Sequence, residues 1–157
     1  MAKPQARVRR ATLSDLPLLG SFGAQLARQH RAYDSRRFKL FEPVEAEFTS
    51  FYGEQLARGD AALLVAELEG KVVGYAFVSV EPESFVDALA VAAWIHDIHV
   101  DDLARRRKVG ALLLEAAVEA ARELGSSCVM LSVSPQNEGA RRMFEQHGFR
   151  LTMQEMR

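Results

Sequence analysis

Apolar residues along this chain recur at two spacings, one typical of helices and one typical of strands. A short strand at residues 8–11 comes first, closed by Thr12 or Ser14 as a helix cap. Leu19, Phe22 and Leu26 then recur every three or four residues and predict a helix of about four turns. Pro43 suits the first position of a second helix, and Gly59 is expected to end it.

The middle of the chain has the composition of strands. Residues 61–68 and 72–80 predict two strands joined by the tight hairpin Glu69-Gly70-Lys71. Residues 82–87 then read as a loop and residues 89–100 as another apolar, β-rich segment. These three segments predict consecutive, neighbouring strands.

Helix and strand alternate in the remainder of the chain. Leucine and alanine at helical spacing predict a helix over residues 108–124, ended by Gly125. A strand at 127–133, a helix at 137–147 and a last strand from Phe149 onward are expected to follow. A strand–helix–strand unit implies parallel strands with a right-handed crossover. We therefore predict a mixed α/β (α+β) fold: one domain over residues 1–157 with a mostly antiparallel sheet, one parallel unit and helices on both faces.

Composition and charge narrow the functional classes. The chain has 157 residues, 48% of them hydrophobic and 26% charged, the balance of a globular protein. A formal net charge of −1 argues against a nucleic-acid partner. The single Cys128 excludes an internal disulfide, and no spacing predicts a metal site. With neither a signal peptide nor an apolar run of about 20 residues, we expect a cytoplasmic protein without membrane contact.

The most informative segment is the basic turn between residues 100 and 112. A strand ending at Val100 passes into the run Arg105-Arg106-Arg107-Lys108-Val109-Gly110-Ala111, where a helix begins. The first N–H groups of a helix have no intrahelical acceptor and lie at the positive end of its dipole, so such a corner binds phosphate. The alternatives are a solvated basic turn or a nucleic-acid patch. We favour a pocket for a phosphorylated cofactor.

Three motifs in order resemble those of the GNAT-type N-acetyltransferases. The start Arg10-Ala11-Thr12-Leu13-Ser14-Asp15 matches the family's first strand and helix start, and residues 105–110 match its acetyl-CoA loop. The later motif appears as Asn137-Glu138-Gly139-Ala140 with Phe144 and Gly148-Phe149. The resemblance implies that acetyl-CoA is the co-substrate and that its diphosphate lies over this turn.

The resemblance also implies which residues contact the cofactor. Backbone groups of Ile98 and Val100 would bond the thioester carbonyl and the pantetheine arm, which adds to the strand edge. The implied cofactor-binding residues lie on the strand end, the turn and the last helix: Ile98, His99, Val100, Arg105, Arg106, Arg107, Lys108, Val109, Gly110, Ala111, Asn137, Ala140 and Phe144. Asn137 is equally well explained as a helix cap, and Phe144 as a core residue.

Attack by an amine requires a base, because an alkylamine is mostly protonated near neutral pH. The resemblance makes His96 and Asp97 the candidates, because relatives often carry acidic residues at these two positions, and His99 is less favoured. Regular alternation would place His96 on the face of Ile98 and Val100, and Asp97 on the opposite face. The alternative is that the histidines are simply polar residues on a half-buried strand.

Two residues depart from the family pattern. Lys108 replaces the first glycine of the loop. Lysine can adopt the helical dihedrals expected there and its ammonium could add a phosphate contact, but its side chain must point away from the path of the diphosphate. Phe144 stands where many relatives have a tyrosine proposed to protonate the leaving thiolate. Another group or water would then do this, or the thiolate would leave unassisted.

These observations predict an acetyl-CoA-dependent N-acetyltransferase that acts on a primary amine of a small molecule or peptide by direct attack in a ternary complex. The resemblance implies that residues 29–41, the second helix and residues 81–87 cover the acceptor. Their acidic residues hint at a cationic acceptor, although solvated loop charges explain them better; they are Asp34, Glu42, Glu45, Glu81, Glu83 and Asp87. A non-catalytic acyl-CoA-binding or regulatory domain and a basic-loop interaction module remain as alternatives. The resemblance alone suggests a homodimer.

Overall fold

The computed structural model describes residues 5–82 and 91–157, and these residues form a mixed sheet. Its strands lie in chain order: β1 (Arg7–Arg10), β2 (Ala61–Leu68), β3 (Lys71–Glu81), β4 (Ala92–Val100) and β5 (Cys128–Leu131). The first four are antiparallel, and β5 runs parallel to β4. The predicted fold class, with its single parallel unit, is confirmed.

Helices cover both faces of this sheet. Two of them, α1 (Leu16–Tyr33) and α2 (Val44–Leu56), pack on one face, and α3 (Val109–Glu123) packs on the other. The short helix α4 (Glu138–Gln146) adds Met143 and Phe144 to the α3 side. We call the sheet face covered by α1 and α2 the acceptor face, because these helices are the ones expected to lie near the acceptor amine.

Alternation along the strands divides the core into two layers. Leu63 and Tyr75 point to the acceptor face, where they pack with Leu19 and Phe22 of α1. Their strand neighbours point to α3; these are Leu64, Ala76 and Val78, packed with Leu113, Leu114 and Ala117. The central strands β2 and β3 are therefore buried on both faces, which explains why the middle of the sequence is so continuously apolar.

The hairpin between β2 and β3 is one residue tighter than expected. Glu69 and Gly70 have φ angles of 54° and 77°, and Leu68 already pairs with Lys71. Two successive left-handed residues form the turn that matches the twist of paired strands. Lys71 is thus the first residue of β3 rather than part of the link.

Two predicted features are wrong. The second helix ends at Leu56, before Gly59, so that glycine is not its terminator. No strand forms after Phe149, although Gly148, with a φ of 89°, follows α4 as a terminator should. The terminal residues find no ladder partner; instead Glu155 pairs with Arg37, and Leu151 and Met153 remain exposed.

Some expectations fall outside the described residues or stay untested. The predicted loop at 82–87, including Glu83 and Asp87, lies almost wholly outside them, as does the start of the segment 89–100. No helix in the described part of the chain is long and apolar enough to cross a membrane. The single domain over residues 1–157 stays a prediction.

Candidate active site

An irregularity in β4 determines where the candidate bases point. Phe77 of β3 pairs with Asp97, but the next residue, Val78, pairs with Ile95. His96 is therefore an extra residue in the ladder, a β-bulge, and such bulges re-aim the side chains around them. Because of the bulge, both His96 and Asp97 lie on the acceptor face. The prediction that His96 shares a face with Ile98 and Val100 is wrong.

His96 is already engaged by neighbours on β3. Its ring stacks on Phe77 with centroids 4.9 Å apart. Its Nε2 lies 2.8 Å from Ser79 Oγ and 3.2 Å from Glu81 Oε1. Ser79 Oγ itself donates to Glu81 Oε1 at 3.1 Å, so the neutral His96 ring donates its Nε2–H to this pair and Nε2 does not accept a proton. This arrangement makes His96 the weaker candidate for a general base.

Asp97 is held differently, by a buried phenol. Tyr52 of α2 donates a hydrogen bond from its hydroxyl to Asp97 Oδ2 at 2.8 Å. Burial of the Asp97 carboxyl raises its pKa above the ordinary value, while the Tyr52 hydrogen bond and nearby His96 lower it. A carboxyl whose pKa is raised toward neutrality is a better proton acceptor than one in water.

Asp97 also lines a cavity of about 190 Å³ between α1, α2 and β4. The walls are mostly apolar, with polar groups at His30 and Lys39; they are formed by Gly23, Leu26, Ala27, His30, Phe38, Lys39 and Phe48. Burial lowers the pKa of His30, which favours the neutral ring there. A small amine entering this space would meet the Asp97 carboxyl.

The opposite edge of β4 is open over its second half. β5 pairs with β4 only from Ala92 to Ile95, so no strand among residues 5–82 and 91–157 pairs with Asp97–Val100 on that side. The Asp101 N–H bonds the Val73 carbonyl of β3 at 2.8 Å. Antiparallel ladders alternate, so the backbone groups of Ile98 and Val100 point away from β3 toward the open side. This is where the sequence predicted the acyl-pantetheine arm.

The turn before α3 presents unbonded N–H groups. Leu112 N–H bonds the Lys108 carbonyl, but the N–H groups of residues 106–111 have no acceptor within residues 5–82 and 91–157. Arg106 and Lys108 both have left-handed backbone angles, with φ of 63° and 60°. The helical dihedrals expected for Lys108 are therefore wrong: the residue is the cap of α3, and the helix begins at Val109.

Basic side chains around this turn face solvent. Arg105 pairs with Asp102 at 2.7 Å, which offsets part of its charge. The described residues hold no ion pair to Arg106, Arg107 or Lys108, and all three are exposed. The diphosphate of acetyl-CoA fits this set of free amides and cations. Acetyl-CoA would bring the thioester that is to be attacked.

The small and capping residues next to the turn have roles in protein packing. A Cβ at Gly110 would lie 3.3 Å from Met143 Sδ, so α4 packs closely on the start of α3. Asn137 Oδ1 accepts the Ala140 N–H at 3.3 Å, which confirms its role as a cap. Phe144 packs into the core beside Phe149, with ring centroids 6.0 Å apart.

The other candidate side chains do not meet at one point. His99 faces α1, where its Nε2 lies 3.2 Å from Gln25 Oε1 and its ring packs on Phe22. Burial lowers the pKa of His99. Cys128 is half-buried at the start of β5 and pairs with Ala92. Neither side chain lies on the cavity that Asp97 lines.

Sequence reasoning missed Tyr52 and Tyr75 as functional residues. Nothing in the sequence pattern distinguishes Tyr52 from the other aromatic residues of the second helix. Its phenol was the available signal, because a buried Tyr hydroxyl needs a hydrogen-bond partner. The partner, Asp97, is 45 residues away in the chain, so nothing local could identify it.

Comparison with known proteins connects this geometry to a family. Residues 28–149 match the family model described as Acetyltransferase (GNAT) family. This chain belongs to the GNAT acetyltransferase family. An uncharacterized N-acetyltransferase of Bacillus subtilis, YhfO, is 28% identical over 90% of this chain and 88% of its own length. By class, this GNAT chain is an acetyl-CoA-dependent N-acetyltransferase, as the sequence motifs predicted.

An archaeal relative is longer than this GNAT chain. The uncharacterized N-acetyltransferase MJ1207 of Methanocaldococcus jannaschii is 29% identical over 78% of the chain. The chain spans about half the length of that relative, 52% of it. Sequence similarity to MJ1207 therefore concerns only part of a longer protein.

Crystal structures show the same GNAT fold at lower identity. A mutant of the BH1408 protein from Bacillus halodurans has a TM-score of 0.84 at 21% identity, covering 96% of this chain and 97% of its own. A predicted acetyltransferase from Clostridium acetobutylicum, crystallised with acetyl-CoA, has a TM-score of 0.73 at 18% identity, covering 98% and 95%. The aminoglycoside N-acetyltransferase AAC(6')-Iy, in complex with CoA, has a TM-score of 0.77 at 16% identity, covering 99% and 94%.

Proposed function

We propose that this chain transfers the acetyl group of acetyl-CoA directly to a primary amine of a small molecule or peptide, with Asp97 as the general base. The observation that carries the proposal is the position of Asp97. Its carboxyl lines the acceptor-face cavity, and the unpaired edge at Ile98 and Val100 follows it directly on the same strand. Amine and thioester can therefore approach β4 from its two sides.

The turn and the open strand edge bind the acyl donor. Backbone N–H groups of residues 106–111 donate hydrogen bonds to the diphosphate, and the exposed side chains of Arg106 and Arg107 add positive charge beside it. The Ile98 N–H donates to the thioester carbonyl, where negative charge develops during attack, and Val100 bonds the arm. Each N–H is held by the backbone of a paired strand or a helix start, so little reorganisation is needed.

Asp97 supplies the proton acceptor. An alkylammonium has a pKa of about 10.4 and cannot attack until it loses a proton. The raised pKa of Asp97 favours that transfer within the cavity. His96 is turned to the same face, but Ser79 and Glu81 occupy its Nε2.

Departure of the thiolate requires no residue at the position of Phe144. That side chain is partly buried against the core and has no proton to give. A thiol with an ordinary pKa of about 8.5 leaves as a thiolate that water protonates afterwards. Direct transfer also needs no acyl-enzyme, and Cys128 lies away from the cavity.

An acetylation assay with a panel of amines tests this function. Purified protein, acetyl-CoA and each amine are followed by thiol release and by mass spectrometry of the product. Asp97→Asn should lower kcat/KM by about 10²–10⁴-fold with an unchanged acetyl-CoA Kd. His96→Gln is the matched comparison on the same bulge and should give a clearly smaller loss.

Other outcomes point to the alternatives. Acetyl-CoA binding without turnover of any amine would indicate a non-catalytic acyl-CoA-binding domain, which Phe144 in place of a tyrosine would suit. No affinity for acetyl-CoA would leave the basic turn as an interaction module. A greater loss in His96→Gln than in Asp97→Asn would reverse the assignment of the base. The homodimer, the cytoplasmic location and the lack of metal, nucleic-acid and membrane partners stay predictions.

A further inference from the structure

A directed chain of hydrogen bonds ends at Asp97. Tyr75 and Tyr52 are both fully buried, with 2.7 Å between their hydroxyl oxygens, and Tyr52 lies 2.8 Å from Asp97 Oδ2. Each phenol has one proton, and a carboxylate can only accept. The Tyr52 proton therefore goes to Asp97, and Tyr75 must donate to Tyr52. Burial and the nearby carboxylate raise the pKa of both phenols, so each remains a neutral donor.

Aromatic packing fixes this chain in place. The Tyr52 ring lies between Phe48 and Phe77, with centroid distances of 5.7 Å and 6.1 Å. The Tyr75 ring stacks on Phe22 at 6.2 Å. Such packing leaves the Tyr52 hydroxyl little freedom to move away from the carboxylate. The chain thus joins α2, β3 and β4 at the site of proton transfer.

Among the described residues, one oxygen of the Asp97 carboxyl accepts a hydrogen bond and the other does not. Oδ2 accepts the Tyr52 bond, whereas Oδ1 accepts no hydrogen bond from any described residue. Every fully buried polar side-chain atom among the described residues has a hydrogen-bond partner. Since Oδ1 has none, it is not fully buried, and it is open to the cavity that Asp97 lines. A carboxylate fixed through one oxygen presents the other in a defined direction.

We propose that Tyr52, aligned by Tyr75, is the positioning residue of Asp97: it holds Oδ2 so that Oδ1 faces the incoming amine. This inference rests on the proposed function, since it takes Asp97 as the base. Tyr52 itself touches neither amine nor thioester. Its second effect is on pH dependence, because a donor to the charged carboxylate keeps Asp97 ionised at lower pH.

Other titratable groups lie near Asp97 and contribute to the pH dependence of kcat/KM. His30 of α1 and Lys39, in the segment between α1 and α2, line the same cavity. His96 of β4 and the two phenols also lie near the carboxyl. Among the groups that the structure describes, the two phenols alone are hydrogen-bonded in a chain to the Asp97 carboxyl. A tyrosine-to-phenylalanine change removes one hydroxyl and leaves the charges of the other groups unaltered.

Tyr52→Phe is the direct test. The acid limb of the kcat/KM profile should move to higher pH by about one unit, the effect of losing one hydrogen bond to a charged group. Below that limb the rate should fall by about tenfold, with a much smaller loss on the alkaline plateau. Tyr75→Phe is the matched variant: it keeps the Tyr52–Asp97 bond, so its shift should have the same direction but be smaller.

A titration that does not depend on turnover separates this inference from the proposed function. Carbon-13 NMR of the Asp97 carboxyl in wild type and Tyr52→Phe reports its pKa directly. An upward shift in Tyr52→Phe supports the inference, even if no amine in the panel is acetylated and the proposed function fails. An unchanged carboxyl pKa overturns it, even if kcat falls. If Tyr52→Phe does not fold, the same titration of Tyr75→Phe decides: a smaller upward shift supports the inference and no shift overturns it.

Discussion

Arg106 and Lys108, two residues apart in the turn before α3, share a left-handed backbone conformation, with φ of 63° and 60°. This conformation costs an L residue about 1–2 kcal/mol relative to the right-handed one. Strain of this kind persists where the surrounding structure imposes it, often at ligand sites. Here it accompanies the N–H groups of residues 106–111, which have no acceptor in the described part of the chain. The strained turn and the proposed diphosphate site are the same segment.

Replacing Lys108 with glycine should stabilise the protein. Glycine adopts positive φ without a steric penalty, so Lys108→Gly should raise the free energy of unfolding by about 1 kcal/mol. For a chain of this length that is a rise in Tm of about 2–4 °C. The backbone N–H is retained, so the acetyl-CoA Kd should change by no more than about fivefold. Urea unfolding and calorimetry measure the two effects.

Arg107→Gly provides the control for that prediction. Arg107 lies between the two strained residues but does not have a positive φ. Glycine there brings only extra freedom to the unfolded chain and should destabilise the protein by about 0.5–1 kcal/mol. Equal destabilisation in both variants would contradict the left-handed conformation of Lys108.

Gly74 of β3 is expected to tolerate no side chain. A Cβ there would lie 2.7 Å from the His99 carbonyl oxygen and 3.3 Å from Val100 Cα, both in the β4 backbone. Gly74→Ala should therefore destabilise the protein by about 2–3 kcal/mol. It should also weaken acetyl-CoA binding, because the displaced segment includes Val100. Urea unfolding and binding calorimetry are the measurements.

Gly110→Ala is the matched change beside the same strand end. Its Cβ would meet the flexible thioether of Met143 at 3.3 Å, not backbone. The gain of about 1 kcal/mol in helix propensity offsets that contact, so little net change is expected. If Gly74→Ala proved as mild as Gly110→Ala, the close approach of β3 to β4 would be contradicted.

Acid stability should depend on Asp15. Hydrogen bonds from Arg9, at 2.8 Å and 3.0 Å, lower the pKa of Asp15 from its ordinary 3.8 to about 2, despite opposing burial. Since the folded pKa is depressed, this contribution is complete above about pH 4 and is lost as the pH falls toward 2. Asp15→Asn should cost about 2 kcal/mol at pH 7 and flatten the stability curve between pH 4 and pH 2. Urea unfolding at several pH values in that range is the measurement. If the free energy of unfolding of Asp15→Asn fell with pH as steeply as that of the wild type, the prediction would be contradicted.

Local sequence patterns predicted the elements because their causes are local. The hairpin followed from Glu69-Gly70-Lys71 between two apolar runs, and a helix from about Lys108 followed from the leucine and alanine spacing after the basic turn. Fold class followed from element order, since a strand–helix–strand unit imposes parallel pairing. These features need only neighbours within a few residues.

Tertiary pairing determined what the sequence could not predict. The bulge at His96 depends on how β4 pairs with β3, and it moved that side chain to the face opposite the one that alternation predicted. The bond between Tyr52 and Asp97 likewise joins distant segments. The strand predicted from Phe149 onward does not form, because a strand needs a ladder partner and none is present there among the described residues.

The most direct test of the site is an amide NMR titration that compares acetyl-CoA with S-acetylpantetheine, which lacks the diphosphate. Acetyl-CoA should shift the N–H signals of residues 106–111 together with those of Ile98 and Val100. S-acetylpantetheine should shift only the signals of Ile98 and Val100. If saturating acetyl-CoA left the N–H signals of residues 106–111 unchanged, the diphosphate would lie elsewhere and the proposed binding mode would be contradicted.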